Sequence, residues 1–581
     1  MKLFVIHTWF AAFGFLSSFL VLCQLQSAAQ CDVSHSSSDR VLKYAFEPEL
    51  RGGDLVLHIR LEFTAGEKTV TELELPSDWA GQSHLEDGVR NLKTQSADTV
   101  LLDTSQPNAK TLRFPMHSLV AISYDLVKDW KGSLENPKQF RPVLEGDFFE
   151  FNTQNALIHP KFALNDVVSA AFDWLKIPEN WKVLTSFGAT SRCQTFNGPW
   201  HEVKNALFAG GEFRVYSPKV SDEELVVAIR GKWPFRDEEA VDKIQKIIGT
   251  ERTFWHDKDF PYYLVTLKPF ESNSGSDGSA FTNAFWLYLS RGSVFSYGIQ
   301  NLLAHESFHA WNPYKMGPIP EPTESVHWFT EGFTVYYSDL LLLRAGLLSP
   351  SEYLGRLNRK IADYEFSPVK NLSNDEIVAR HEHDSSVDEL TYIRGAVTAL
   401  WLDAQIRRNS SNSRSLDDLM LRLKDEATRD PGHLLTTKRI LSRADEYLGR
   451  RDRRALRDMV NRGSTVPVPN FPLNTCVYRH VDQVPTFDLG FDKEILLSKN
   501  YISGVKPDSA AFRAGIRDGQ QIVGVSIYWD DVSKPVRLKI HSSTGQQIIE
   551  YFPTGKSVPI PQYHPQNRES TSDPEVCQFS R

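Results

Sequence analysis

The sequence predicts a multidomain α+β protein: an all-β N-terminal domain, a mostly helical central domain and a smaller C-terminal unit. Three observations lead there. At 581 residues the chain is longer than one hydrophobic core ordinarily serves. Its apolar periodicity changes from two-residue alternation to a helical repeat near residue 238. The stretch 466–472, Val-Pro-Val-Pro-Asn-Phe-Pro, reads as a stiff break before the last unit. Composition is that of a globular protein, with 41% hydrophobic and 24% charged residues. A formal net charge of −8 argues against a nucleic-acid partner, which would need a basic face.

Taken in order, residues 1–29 read as a secretory leader. Lys2 supplies the positive start, 10–22 is apolar apart from Gly14, Ser17 and Ser18, and Ser27, Ala28 and Ala29 offer a cleavage site. An uncleaved anchor is the alternative for the same segment. No later stretch is long and apolar enough to span a bilayer, so the expected location is secreted or periplasmic. Cleavage removes Cys23 and leaves Cys31, Cys193, Cys476 and Cys577, whose pairing the sequence leaves open.

Residues 30–225 carry the strand signal. Leu55, Leu57, Ile59, Leu61 and Phe63 alternate with His58, Arg60 and Glu62, the pattern of a half-buried strand. Residues 226–465 form the expected second domain. Val241, Ile244, Ile247 and Ile248 make a helical stripe, strands are expected at 262–267 and 283–289, and helices dominate from 296 to about 462. Ser349-Pro350-Ser351-Glu352 is a capping box with proline at the first helical position. A linker is expected at 466–481, a small unit at 482–553 and a loose tail at 554–581.

Chemistry concentrates in Leu302-Leu303-Ala304-His305-Glu306-Ser307-Phe308-His309. His305 and His309 are four apart, so a helix stacks them on one face, where two imidazoles can share a zinc ion. Such a site needs a third protein ligand and keeps its fourth position for water. Glu331, in Trp328-Phe329-Thr330-Glu331-Gly332, is 22 residues beyond His309, far enough for a loop and a returning helix to present its carboxylate. One zinc per chain, held by His305, His309 and Glu331, is therefore expected, with Glu306 placed as general base.

The segments His-Glu-Ser-Phe-His-Ala-Trp-Asn at 305–312 and Trp-Phe-Thr-Glu-Gly-Phe-Thr at 328–334 resemble the glycyl aminopeptidase family of gluzincin metallopeptidases. Tyr-Ile-Arg-Gly-Ala-Val-Thr at 392–398 resembles a later helix of the same family. The resemblance implies a thermolysin-like zinc catalytic domain between an N-terminal β domain and a C-terminal PDZ-like domain. It implies that Tyr392 donates a hydrogen bond to the developing oxyanion, with Arg394 where lysine is usual. It further implies an aminopeptidase acting on small N-terminal residues of peptides or proteins.

Asn283-Ala284-Phe285-Trp286 resembles the edge strand with which thermolysin-like enzymes bind substrate backbone, which marks Asn283 and Ala284 as substrate-binding candidates. The carboxylate with which glycyl aminopeptidases meet the substrate amine has no counterpart here. Asp277 and Glu271 are the nearby acids, and an endopeptidase is the open alternative. In the last unit, Asp488-Leu489-Gly490-Phe491 and the stretch 505–522 resemble PDZ domains, which would bind a peptide ligand by strand addition. A zinc hydrolase acting on a small non-peptide substrate is a further reading. A non-catalytic scaffold is another, disfavoured by the intact His-Glu-x-x-His motif.

Overall fold

The computed structural model describes residues 40–565 apart from 190–191, 221–222, 258–261, 272–274, 321, 431, 471–476, 530 and 543–544. The expected leader, Cys31, Cys476, Cys577 and residues 566–581 lie outside the described residues. Cys193 is disulfide-bonded.

The N-terminal part is built almost entirely of strands. β1 (Val41–Arg51) and β2 (Asp54–Thr64) pair antiparallel at the centre of a six-stranded sheet, and four- and five-stranded sheets complete the region. The alternation read in β2 holds: Leu55, Leu57, Ile59, Leu61 and Phe63 all enter one core. β3 (Phe148–Asn152), in the five-stranded sheet, is buried along its length.

The boundary expected at 225 cuts through a strand and is corrected. β4 (Glu223–Ile229) precedes α1 (Asp237–Trp255) and runs parallel to β5 (Tyr262–Pro269), so it belongs to the second unit's sheet. That sheet continues through β6 (Ser276–Phe281) and β7 (Ala284–Leu289), in the order 214–216, β4, β5, β7, β6. One face packs on α1 and the later helices, and the other packs on the β region through Phe148, Leu184, Leu207 and Ala209. Within that second contact, Glu150 of β3 accepts hydrogen bonds from Lys268 Nζ, from Thr266 Oγ1 at 3.2 Å and from Tyr288 OH at 2.9 Å. The side chains of Glu150 and Lys268 are wholly buried.

The edge-strand expectation for 283–286 is overturned. Ala284 is paired on both sides, with Leu264 of β5 and Phe281 of β6, and Asn283 sits in the hairpin turn at φ 50° with its carbonyl accepting from Leu264 N. Every residue of β7 is buried, as a strand covered on both faces requires. The free edge belongs to β6.

The helices follow: α2 (Tyr297–Phe308), α3 (His327–Arg344), α4 (Pro350–Phe366) and α5 (Ser385–Asn409). The Ser349 capping box is present, with Ser349 N donating to Glu352 Oε2 at 2.8 Å and Glu352 N donating to Ser349 Oγ at 3.3 Å. α3 and α5 touch backbone to backbone: a Cβ on Gly332 would lie 2.3 Å from Gly395 Cα. No larger residue fits either position, and this approach sets Glu331 beside the face that carries Tyr392. Among the described residues no helix is long and apolar enough to cross a membrane.

Two expectations for the C-terminal part are also corrected. Val466 and Val468 are buried in the helical core, so the start of the 466–481 segment is packed rather than free. Its end enters β8 (Val477–Phe487). α6 (Lys493–Lys499) and a three-stranded sheet of β9 (Ile522–Ser526), β10 (Val536–Ser542) and β11 (Gly545–Tyr551) follow. The expected loose tail then starts as a strand, β12 (Thr554–Pro565), paired antiparallel with β8 in a two-stranded ribbon. Pro559 and Pro561 share one parity of the strand, and their missing N–H groups fall on the side without a partner.

Candidate metal centre

His305 lies in the last turn of α2, and His309 caps it with φ −62° and ψ −19°, still helical in conformation. Glu331 lies in the second turn of α3. Asn312 holds the two helices in register. Its side-chain Nδ2 donates to Thr330 O and Thr334 Oγ1, both at 3.2 Å, and its carbonyl lies 2.8 Å from His309 Nδ1. That last bond places the His309 proton on Nδ1 and leaves Nε2 as a donor for a cation. In the same turn, Trp311 Nε1 and the Lys315 ammonium both donate to Asp257 Oδ2, at 2.6 and 2.5 Å.

The three expected ligands come together. His305 Nε2 and His309 Nε2 are 3.2 Å apart, and each is 3.4 Å from Glu331 Oε2. Donors about 2.0–2.1 Å from a tetrahedral zinc are about 3.3–3.4 Å from one another. The separations match the edges of such a tetrahedron. Two imidazoles and a carboxylate also match zinc chemically better than calcium or magnesium.

The three donors are strongly coupled to one another and to Glu306. Burial works against the charge on Glu331, yet His309 and His305 hold its carboxyl well below the usual range. Burial likewise opposes charge on His309, but Glu331 and Glu306 raise it to about 9. Glu306 moves the other way: burial raises its carboxyl, the two imidazoles pull it back, and Glu331 and Asp277 add to the rise.

Tyr392 stands over the site from α5, its ring stacked 6.1 Å from that of His305. Burial raises its phenol, and Glu331, Asp388 and Glu306 raise it further, so the hydroxyl keeps its proton. Asp277 on β6 is near enough to act on Glu306, and it accepts from Gln139 Nε2 at 2.5 Å and Asn136 Nδ2 at 3.1 Å of the β region. Glu271 is instead tied to the backbone N–H of Leu134 at 3.3 Å. Asn283 and Ala284 are committed to the sheet as described.

Sequence reasoning missed two residues. Asn312 was in the quoted motif, and its amide at the end of a ligand-bearing helix was the available signal. Tyr314 follows it on a short 3₁₀ turn and is 55% exposed while lying within the fields of Glu306 and Glu331. Nothing in its local pattern marked it.

The M61 glycyl aminopeptidase family model matches residues 299–414, which include all four motif residues and Tyr392. The chain is similar in structure to an aminopeptidase N family protein from Idiomarina loihiensis, with a TM-score of 0.68 and 17% identity over 90% of this chain and 98% of that one. An M1 zinc metallopeptidase from Deinococcus radiodurans is more distant, with a TM-score of 0.47 and 14% identity over 74% of this chain and 95% of that one. A comparison with curated proteins gives no match. Residues 299–414, the segment that carries the His305–His309–Glu331 triad, thus match the M61 glycyl aminopeptidase family, and the chain shares its fold with the Idiomarina protein.

Proposed function

We propose that the protein is an extracytoplasmic aminopeptidase that removes small N-terminal residues from peptides. His305, His309 and Glu331 hold one zinc ion. The observation that carries the proposal is the set of 3.2–3.4 Å separations among those three donors, open to a phenol and a second carboxyl. When bound, zinc supplies Lewis-acid polarisation of the scissile carbonyl and lowers the pKa of water. Glu306 then takes a proton from the attacking water and delivers it to the leaving amine. Burial raises its carboxyl above the usual carboxylate range, which suits that exchange. Tyr392 donates its hydroxyl to the carbonyl oxygen as negative charge develops there.

The free edge of β6 offers main-chain groups to an extended peptide, in place of Asn283 and Ala284. Asp277 at the head of that strand is the acid available to meet a substrate ammonium. Its bonds to Asn136 and Gln139 make the β region part of the cleft. The disulfide at Cys193 fits an oxidising compartment and so the secretion reading. The C-terminal unit reads as PDZ-like, although α6 follows the Asp488–Phe491 loop where a ligand-pairing strand would be needed.

Matched peptides with free and acetylated N-termini test the reading, each offered to the zinc-loaded enzyme and to Glu306→Gln. Stepwise cleavage of only the free peptides, lost in the variant, is the expected result. Internal cleavage of blocked peptides would replace it with an endopeptidase.

A further inference from the structure

Among the described residues one other group brings two imidazoles and a carboxylate within reach of a single ion: His480, Asp482 and His564. His480 and Asp482 are two apart on β8, and His564 reaches them from β12. Asp482 Oδ1 lies 2.7 Å from His480 Nδ1, and Asp482 Oδ2 lies 2.7 Å from His564 Nε2. Both rings point their near nitrogen at one carboxylate. The His564 ring is stacked 5.6 Å from Tyr478, which limits its rotation. These side chains are open to solvent, at 65% for His480, 32% for Asp482 and 37% for His564.

The geometry points to a second, structural zinc site on the β8–β12 ribbon, formed by His480 Nδ1, Asp482 and His564 Nε2 with water completing the coordination. The donor set is that of a borderline divalent ion, and its exposure gives the ion a path in. The 2.7 Å separations are those of hydrogen bonds, so binding requires each ring to move its proton to the other nitrogen. Each pair must also open to about 3.3 Å. The exposed His480 ring can make that adjustment by rotation.

The position gives the ion a purpose. The Asp482–His564 contact spans 82 residues of chain, and the whole C-terminal unit lies between its ends. Directly beside it, Tyr563 is zipped to Asn358 of α4, with Tyr563 N donating to Asn358 Oδ1 at 2.7 Å and Asn358 Nδ2 donating to Tyr563 O at 2.8 Å. An ion at the ribbon would close the long loop at its root and fix the place where the C-terminal unit leaves the helical region. This inference is independent of the peptidase reading.

The test uses untagged full-length protein and zinc chloride alone, read by equilibrium dialysis with metal analysis. Wild type is expected to hold two zinc equivalents at micromolar free zinc, and His564→Ala and Asp482→Asn one each. His309→Ala is expected to keep the ribbon ion. A calorimetric transition for the C-terminal part should rise with zinc in wild type and not in the two ribbon variants. Loss of all zinc in His309→Ala, or an unchanged zinc count in both ribbon variants, would overturn the assignment. His480 is exposed and Asp482 and His564 are half-buried, so circular dichroism of each variant checks the fold, and His480→Ala, at the most exposed position, serves as a third check.

Discussion

The two His–His–carboxylate groups contain the same side chains but are held to different tolerances. In the helix triad, donors 3.2–3.4 Å apart come from two helices locked by Asn312 and by the Gly332–Gly395 contact. In the ribbon triad they have closed to 2.7 Å on an exposed two-stranded ribbon. The first resists collapse because its ligands sit on packed backbone, so the repulsion and desolvation of an open site are met by the fold. The second satisfies itself with hydrogen bonds and must give them up to take an ion. Preorganisation, more than donor identity, separates a tight site from a weak one.

The largest effect that could break this comparison is at the helix triad. His309→Ala should remove zinc from that site and reduce peptide hydrolysis to background, measured as turnover alongside metal content. Retained turnover would show that the triad is not the centre of the chemistry. Glu306→Gln should hold its zinc and lose about 10²–10⁴-fold in kcat. Tyr392→Phe should lose about 10²–10³-fold in kcat with little change in KM, because its hydrogen bond forms as charge develops. A loss confined to KM would make Tyr392 a ground-state contact.

A smaller effect sharpens the contrast. With His309 at about 9 before the ion binds, a proton must leave for zinc to enter. Zinc affinity of the helix triad should therefore fall about tenfold for each pH unit below 9 and level off above it, as competition titrations would report. A flat profile between pH 6 and 9 would mean His309 enters the site neutral. The smallest effect belongs to the ribbon, where His480→Ala should alter turnover negligibly and stability by no more than about 0.5 kcal/mol.

The helix triad was legible because its signal is local. His305 and His309 needed only helical spacing, and the distance to Glu331 allowed a returning helix. The same holds for β2 and for the Ser349 capping box. What escaped was pairing across long separations. Asn283–Trp286 matched an edge-strand motif in letters, yet the unbroken apolar run from Ala284 to Leu289 already described a strand covered on both faces. β12 was hidden by its prolines, which depress any strand reading although a two-stranded ribbon tolerates them on its outer side. The boundary at 225 failed for the same reason: β4 finds its partner β5 beyond an intervening helix.

The Glu150–Lys268 pair has a consequence for how this enzyme can be shortened or inherited. An ammonium and a carboxylate with no exposure are tolerable only together, and removing one partner of such a pair costs about 3–5 kcal/mol. A trimmed protein starting after the β region would bare the apolar sheet face of Leu264, Trp286 and Tyr288 that surrounds Lys268. The half that carries the helix triad is therefore expected to aggregate when expressed alone, which light scattering of the trimmed protein would report. Recombination between relatives should succeed only where both halves travel together.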